Sequence, residues 1–170
     1  MKRGWAGGLV EGTPCGNGSL LEKTANVRCS LPLLLRKYGI RSVCDAGAGD
    51  MYWAQDIFSG VEYRPFDLVP RAPGIEKIDI SKTALPKCDA VICRLVLIHL
   101  DPGRAVEALR LFRESAKYLF ASQYEVRNVF NTRSQFNRTN LSIEPYNLGA
   151  PIERIPDIDE AQCSLALWRL

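Results

Sequence analysis

The sequence predicts an α/β fold with a mostly parallel sheet, helices on both faces and an antiparallel last strand. First, the stretch S-V-C-D-A-G-A-G-D at 42–50 runs from a short apolar strand into a glycine loop. Second, further apolar stretches alternate with helical patterns, as they do around parallel sheets. Third, charged residues follow several of these strands. Because ligands of such sheets bind at the carboxyl ends of the strands, these charged residues predict one site.

The length of 170 residues predicts a single domain over 1–170. We divide it into an N-terminal loop and helical lid (1–39), a ligand-binding core (40–122), a polar irregular segment (123–162) and a closing strand (163–170). No apolar run approaches the ~20 residues that span a bilayer. The basic N-terminus lacks the apolar region of a signal peptide. We therefore expect a cytoplasmic protein without a membrane partner.

Charge and side-chain chemistry narrow the classes of partner. A net charge of +3 is too small to indicate a nucleic-acid partner. The basic stripe of Arg110, Arg113 and Lys117 is expected to be a solvated helix face. The six cysteines form no C-x-x-C pair, and His99 is the only histidine. We therefore expect reduced thiols and no metal site.

The N-terminal third predicts a loop and two helices. The stretch from Gly7 to Ser19 is rich in glycine and holds a proline, which disfavours regular structure. Thr24 is expected to cap a helix that runs to about Leu31 by accepting an orphan N–H. A second helix would begin at Pro32 and end at Gly39.

The glycine loop and the segment after it predict a nucleotide-like site. Asp45 ends the first strand, Gly47 and Gly49 would bring the backbone close to a ligand, and a helix is expected from about Met51 to Phe58. The dinucleotide fingerprint needs a third glycine where Tyr52 stands, so NAD is disfavoured. A tight turn without a ligand is the alternative.

The next strands predict further acids at the same edge. A second strand at 61–66 ends at Asp67, which lies 18 positions beyond Gly49 and suits two ribose hydroxyls. A solvated turn residue is the alternative for Asp67. A third strand at 75–80 carries Asp79, which could instead cap the turn at 81–83.

The second half predicts a fourth strand at 89–94 that ends at Arg94, and then a helix capped by Asp101 with Pro102 in its first turn. A fifth strand is expected at 118–122. The stretch 164–170 predicts a last, antiparallel strand.

Several motifs together resemble short bacterial and phage class I S-adenosylmethionine (SAM) methyltransferases, which have a Rossmann-like sheet. The resemblance covers nearly all of the chain. It rests on G-N-G-S at 16–19, Thr24, L-R-K-Y-G-I at 35–40, D-A-G-A-G-D-M-Y-W at 45–53, C-R at 93–94 with H-L at 99–100, N-L at 147–148 and L-W-R-L at 167–170. Ala121 and Ser122 depart from the threonine pair that this branch often carries.

The resemblance implies SAM as the cofactor and 40–122 as the core that binds it. The implied cofactor-binding residues are Ser19, Thr24, Arg28, Asp45, Ala46, Gly47, Gly49, Asp67, Leu68, Asp79, Ile80, Arg94 and Leu95. The implied acceptor-binding residues are Trp53, Tyr146 and Asn147. In the family the motif acid lies near the amino group of the ligand, and an acid like Asp79 faces the adenine amine.

Catalysis needs positioning of the acceptor and, for some nucleophiles, a base. His99 is a candidate base, with a buried core histidine as the alternative. Arg94 could hold an acidic substrate, or it could pair with Asp45 or Asp67. We further expect 12–19 and 131–151 to form a lid and an acceptor pocket; mobile surface is the alternative.

The predicted function is methyl transfer from SAM to an unidentified acceptor, a small molecule or a glycan-like compound. A catalytically idle SAM- or nucleotide-binding regulatory module is the alternative. A DNA amino-methyltransferase is disfavoured because C-R-L-V stands where D/N-P-P-Y/F is expected.

Overall fold

The computed structural model describes residues 13–54, 56–130, 136–158 and 162–170. In these ranges two α-helices and seven strands form in the following order. The elements are α1 (Ala25–Lys37), β1 (Ser42–Ala46), β2 (Glu62–Asp67), β3 (Glu76–Lys77), β4 (Cys88–Cys93), α2 (Pro102–Ser115), β5 (Ala116–Tyr124), β6 (Glu153–Pro156) and β7 (Cys163–Arg169). Short 3₁₀ helices form at Asn17–Ser19 and Leu97–His99.

The strands form one sheet in the order β3-β2-β1-β4-β5-β7-β6. The first five strands are parallel to their neighbours, whereas β7 runs antiparallel between β5 and β6. The predicted fold class and the antiparallel last strand are therefore confirmed. The sequence did not predict β6, a four-residue edge strand that ends at Pro156.

The core has one apolar layer on each face of the sheet. On one face α2 packs through residues such as Leu109 and Phe112. On the other face α1 packs through Val27, Leu31 and Leu35. Because both faces are covered, the central strands β1 and β4 are almost wholly buried.

Helix α1 corrects the prediction of two helices, because it continues through Pro32. Proline removes one helical hydrogen bond. Val27, Leu31 and Leu35 recur at helical spacing on the buried face, so tertiary packing holds the helix on both sides of the proline. The capping prediction for Thr24 is also wrong, since its hydroxyl donates to the Leu20 carbonyl at 3.0 Å.

The predicted helix from Met51 to Phe58 is wrong as well, since the described residues there form turns. Met51 and Asp56 have φ angles of 61° and 64°, which a right-handed helix does not allow. Trp53 and Ile57 are nevertheless buried on the α1 face. The third strand is also shorter than predicted, covering only Glu76–Lys77.

Helix α2 begins as predicted. Asp101 Oδ1 accepts the Arg104 N–H at 3.0 Å, and Pro102 occupies the first turn. Of the helices in the described ranges, none combines the length and apolar character of a membrane span.

Candidate functional site

The parallel strands β2, β1 and β4 bring Asp67, Asp45 and Arg94 to the same edge of the sheet. Asp45 is paired with Pro65 on one side and with Ile92 on the other. Asp67 lies two positions beyond Pro65 at the end of β2, and Arg94 lies two positions beyond Ile92, directly after β4. The glycine loop leaves this edge, and its first two N–H groups, of Gly47 and Ala48, donate to the Phe66 carbonyl at 2.8 and 3.0 Å. The loop is therefore anchored to β2.

Asp67 braces the glycine loop from the end of β2. Its Oδ2 accepts the Gly49 N–H at 2.9 Å, and its Oδ1 accepts the Val69 N–H at 2.8 Å. Each carboxylate oxygen has a further acceptor position. The next side chains, Leu68 and Val69, are apolar and exposed by 52% and 57%. A half-buried carboxylate thus lies next to an uncovered apolar surface.

Asp45 is a buried carboxyl group, with only 1% of the residue exposed. Burial raises its pKa to about 7, and the hydrogen bond from the Tyr63 hydroxyl partly opposes this rise. That bond is 2.6 Å long, to Asp45 Oδ2. The Asp67 charge raises the pKa of Asp45 and the Arg94 charge lowers it. A cationic ligand group near Asp45 would stabilise its charged form.

Side chains of the protein itself approach both glycines of the loop. A Cβ on Gly47 would lie 2.2 Å from Val96 Cγ2, and one on Gly49 would lie 2.8 Å from Cys15 Sγ. Their φ angles, +100° and +63°, also favour glycine. Val96 and Cys15 therefore occupy part of the space next to the loop, and the approach of a ligand to its backbone stays a prediction. It also follows that a side chain at Gly47 would disturb the fold.

The segment before α1 lies against this loop. Besides the Cys15 contact with Gly49, a Cβ on Gly18 would lie 2.7 Å from Leu95 Cδ1. Leu95 has a φ of 55°, and its N–H donates to Ser122 Oγ at 2.8 Å. The hydroxyl of Ser122 thus holds the chain that leaves β4.

Arg94 forms a buried ion pair with Asp157, a residue that the sequence did not single out. Its Nε donates to Asp157 Oδ2 at 2.9 Å and its Nη2 to Oδ1 at 2.7 Å. The guanidinium lies 5.1 Å from the ring centroid of Trp53. The expected pairing with Asp45 or Asp67 is therefore wrong. Trp53, for which an acceptor contact was predicted, is 4% exposed and packs in the core under Arg94.

Asp79 holds a turn, as its alternative interpretation predicted. Its Oδ1 accepts the Ser81 hydroxyl at 2.7 Å and the Ser81 N–H at 3.1 Å, and Arg104 Nη2 lies 3.1 Å away. The Ser81 hydroxyl is the main cause that lowers the pKa of Asp79. Ile80 is buried next to it. The Asp79 carboxylate therefore has fewer unoccupied hydrogen-bond acceptor positions for a ligand than the Asp67 carboxylate.

Three predicted residues lie on the α1 side. Ser19 ends the first 3₁₀ helix, and Thr24 is buried just before α1. Arg28 lines a shallow cavity of about 400 Å³ between α1 and the turn at 56–57. Within the described ranges its buried Nε has no hydrogen-bond partner.

The predicted acceptor and catalytic residues lie beyond β4 and β5. His99 ends the second 3₁₀ helix, and its ring centroid lies 5.9 Å from that of Phe136. Tyr146 is 4% exposed, and its buried hydroxyl has no hydrogen-bond partner among the residues that the structure describes. Asn147 is exposed and has a φ of 50°.

An amide network fixes the described part of the segment after β5. Asn140 N–H donates to Asn128 Oδ1, Gln123 Nε2 donates to Asn140 Oδ1, and Leu141 N–H donates to Gln123 Oε1, each at 2.7 Å. The predicted pocket at 131–151 lies partly outside the described residues, since 131–135 are not among them. In the described ranges no cluster of three or more potential metal ligands is found.

Comparison with known proteins identifies structural relatives only. No protein-family model matches the sequence, and no curated protein matches it significantly. Magnesium protoporphyrin IX methyltransferase from Synechocystis PCC 6803, solved with S-adenosylhomocysteine (SAH), is 16% identical, with a TM-score of 0.61 over 85% of this chain and 82% of that one. A Burkholderia thailandensis 1,6-didemethyltoxoflavin-N1-methyltransferase, solved with 1,6-didemethyltoxoflavin and SAH, is 17% identical, with a TM-score of 0.61 over 87% and 79%.

Mitomycin 7-O-methyltransferase is 14% identical, with a TM-score of 0.60 over 85% of this chain. The chain spans about half of that protein's length, 54%. At these identities the likeness concerns the fold. The chain therefore has the Rossmann-like fold that these SAM-dependent methyltransferases share.

Proposed function

We propose that this protein is a methyltransferase that moves a methyl group from SAM to a small-molecule acceptor. The observation that supports this proposal is a pair of carboxyl groups, those of Asp45 and Asp67, at the ends of the adjacent strands β1 and β2. One is buried at the base of a glycine loop and the other is half-buried beside an exposed apolar surface. A ligand with an ammonium group at one end and a nucleoside at the other satisfies both.

The residues fit SAM in distinct roles. Asp45 would receive the amino group, because a buried carboxylate gains most from a nearby cation. Asp67 would accept bonds from two ribose hydroxyls with the acceptor positions left on its oxygens. Leu68 would cover one face of the adenine, with Asp79 and Ile80 at its edge. Arg28, Ser19 and Thr24 would lie toward the methionine end.

The rest of the chain would position the acceptor. When bound, the sulfonium of SAM supplies an electrophilic methyl group. The chain must then align the acceptor in line with it and exclude water. His99 would serve as base for an acceptor that carries a proton, with Tyr146 and Asn147 as further contacts. The segments 12–19 and 131–151 would close over the site.

Two observations bear on the class of acceptor, and a third bears on the compartment. The toxoflavin-precursor enzyme was solved with a small heterocyclic acceptor. Aromatic rings of Phe130 and Phe136, exposed by 36% and 40%, follow the carboxyl end of β5 in this chain. We propose a small apolar acceptor over a glycan-like one. All six cysteines are free, as suits a reducing cytoplasm.

The second candidate function is an idle binding module that regulates a partner. The observation that favours it is the packing of Val96 and Cys15 on the two glycines. If this packing persists with ligand bound, little of the loop backbone touches the ligand. Binding without turnover would then be the only activity.

The test is a binding screen followed by a transfer assay. Calorimetry with SAM, SAH and NAD should show binding of the first two and none of NAD. Radiolabelled methyl from SAM should then pass to a small-molecule fraction of host extract. Binding of SAH without transfer to any fraction would favour the idle module, and binding of NAD alone would overturn the proposal.

A further inference from the structure

The ion pair of Arg94 and Asp157 is the most buried pair of charges among the described residues. The side chains are exposed by 3% and 0%, whereas the other ion pairs have side chains exposed by 20% or more. A buried pair is weak support for stability, because its desolvation offsets much of its attraction. Its position beside the proposed ligand site therefore calls for a functional explanation.

Arg94 and Asp45 belong to the same face of the sheet. Asp45 follows Val43 by two positions on β1, and Arg94, the first residue after β4, follows Ile92 by two positions. Val43 and Ile92 both pack in the α1-side core. Since side chains two apart on a strand share a face, the guanidinium and the Asp45 carboxyl extend to the same side of neighbouring strands.

In this arrangement the Arg94 guanidinium is a potential competitor of the ligand ammonium for the Asp45 carboxylate. A guanidinium next to a buried carboxylate forms a strong bidentate pair when it is free to do so. Such a pair would occupy Asp45 and exclude a ligand ammonium. In the structure Arg94 instead gives two donors to Asp157 and rests on the Trp53 ring.

We propose that Asp157 is a positioning residue that holds Arg94 away from Asp45 and so keeps the Asp45 carboxylate available to a ligand ammonium. The inference rests on the proposed function for the identity of that ligand. It assigns a role to the connection between β6 and β7, 63 residues along the chain from Arg94.

The other groups around Asp45 do not provide this control. Tyr63 and Asp67 face it from β2. Tyr63 donates one hydrogen bond, and Asp67 adds a like charge. Cys93 on β4 is a buried thiol whose pKa is raised by burial and by Asp45, so it carries no charge at neutral pH. Among these neighbours of Asp45, Arg94 carries the positive charge, and Asp157 is its ion-pair partner.

The experiment compares two nucleosides on three variants at pH 8, where Asp45 is charged. SAH carries the ammonium, and 5′-methylthioadenosine lacks the whole amino-acid part. Asp157→Asn should weaken SAH binding by about tenfold, which is ~1.4 kcal/mol. It should leave 5′-methylthioadenosine binding unchanged. The double variant Asp157→Asn with Arg94→Met removes the competitor and should regain the SAH affinity.

Glu153→Gln is the matched control, because Glu153 lies on β6, shortly before Asp157, and the change breaks its ion pair with Lys37 of α1. The Tyr38 hydroxyl, which donates to Glu153 Oε1 at 2.8 Å, keeps an acceptor in the glutamine amide. The control variant should change neither affinity. An equal loss of both nucleosides in Asp157→Asn, or no recovery in the double variant, would reduce Asp157 to a structural residue and overturn the inference.

NMR titration of the Asp45 carboxyl tests the role of Asp157 without a ligand. If the wild-type protein binds neither nucleoside, the proposed function fails, and this titration alone decides whether Asp157 holds Arg94 away from Asp45. Asp157→Asn should lower the titration midpoint of Asp45, because Arg94 then pairs with it. The double variant should raise the midpoint above that of the wild type. Equal midpoints in all variants would contradict the inference on its own.

Discussion

The Tyr63 hydroxyl donates a 2.6 Å hydrogen bond to Asp45 Oδ2 in the interior of the sheet. The bond stabilises the charged carboxylate, yet burial is the larger effect and raises the pKa of Asp45 to about 7. The Asp45 carboxyl group therefore gains or loses its proton near pH 7. Ligand affinity and stability should both respond to pH in this range.

Ligand binding should become tighter as the pH rises from 6 to 8. The ammonium of SAH pairs with the charged form of Asp45, and this form becomes dominant only above pH 7. Calorimetric affinities at several pH values check this. Tyr63→Phe removes the hydrogen bond that stabilises the carboxylate, so it should move the midpoint to higher pH. A midpoint unchanged by this variant would separate the pH dependence from Asp45.

Stability of the ligand-free protein should fall over the same range. The pKa of Asp45 is higher in the folded protein than its ordinary value of 3.8, so the folded state holds the extra proton. This stabilisation is complete at low pH and is lost as the pH rises toward 7. Acids with a lowered pKa, such as Asp79, lose their stabilising effect only as the pH falls below the ordinary value of 3.8, outside this window. Melting temperatures between pH 5.5 and 8 should fall for the wild type and stay flat for Asp45→Asn.

Asp67→Ala should weaken SAH binding by about 2 kcal/mol, since two ribose hydroxyls and the Gly49 N–H lose their acceptor. Glu62→Gln on the same strand is the control, because the Glu62 carboxylate forms an exposed ion pair with Arg64. Calorimetry at pH 8 measures both. An Asp67→Ala protein with wild-type affinity would remove Asp67 from the site.

Gly47→Ala should destabilise the fold, since the new methyl group meets Val96 Cγ2 at 2.2 Å and the φ of +100° disfavours a side chain. Gly74→Ala is the matched control, with a φ of +82° and no atom within 4 Å. It should cost about 1–2 kcal/mol from backbone strain alone. Urea unfolding should show a larger loss for Gly47→Ala. Equal losses of unfolding free energy in the two variants would mean that Val96 moves aside without destabilising the protein.

Hydrogen exchange should show whether the N-terminal segment closes on the ligand. Cys15 and Gly18 already lie against the loop and Leu95. SAH should therefore increase protection at 15–19 as well as at 47–49. Protection limited to the glycine loop would leave the N-terminal segment as a fixed cover rather than a lid.

The sequence predicts those parts of the molecule that local patterns determine. The buried strands β1 and β4 carry short apolar runs, and the cap of Asp101 with Pro102 follows from short-range chemistry. The turns at 52–54 and 56–58 escaped prediction because Trp53 and Ile57 keep helical spacing while Met51 and Asp56 adopt left-handed backbone. Pro32 suggested a helix start, but packing of Leu31 and Leu35 carries α1 through it.

Long-range partners within the site could not be predicted. Strand ends place Asp45, Asp67 and Arg94 together, and that part of the site follows from topology. The partner of Arg94 is 63 residues away, after an edge strand too short to recognise. The fold also brings Cys15 and Val96 onto the glycines, which no local pattern indicates.

Titration of the protein with SAH by calorimetry at pH 8 tests the central claim most directly. The wild type should bind one equivalent, and Asp45→Asn and Asp67→Ala should each lose most of that affinity while Glu62→Gln keeps it. Absence of SAH binding by the folded wild-type protein, or equal binding by all four proteins, would contradict a SAM site at the ends of β1 and β2.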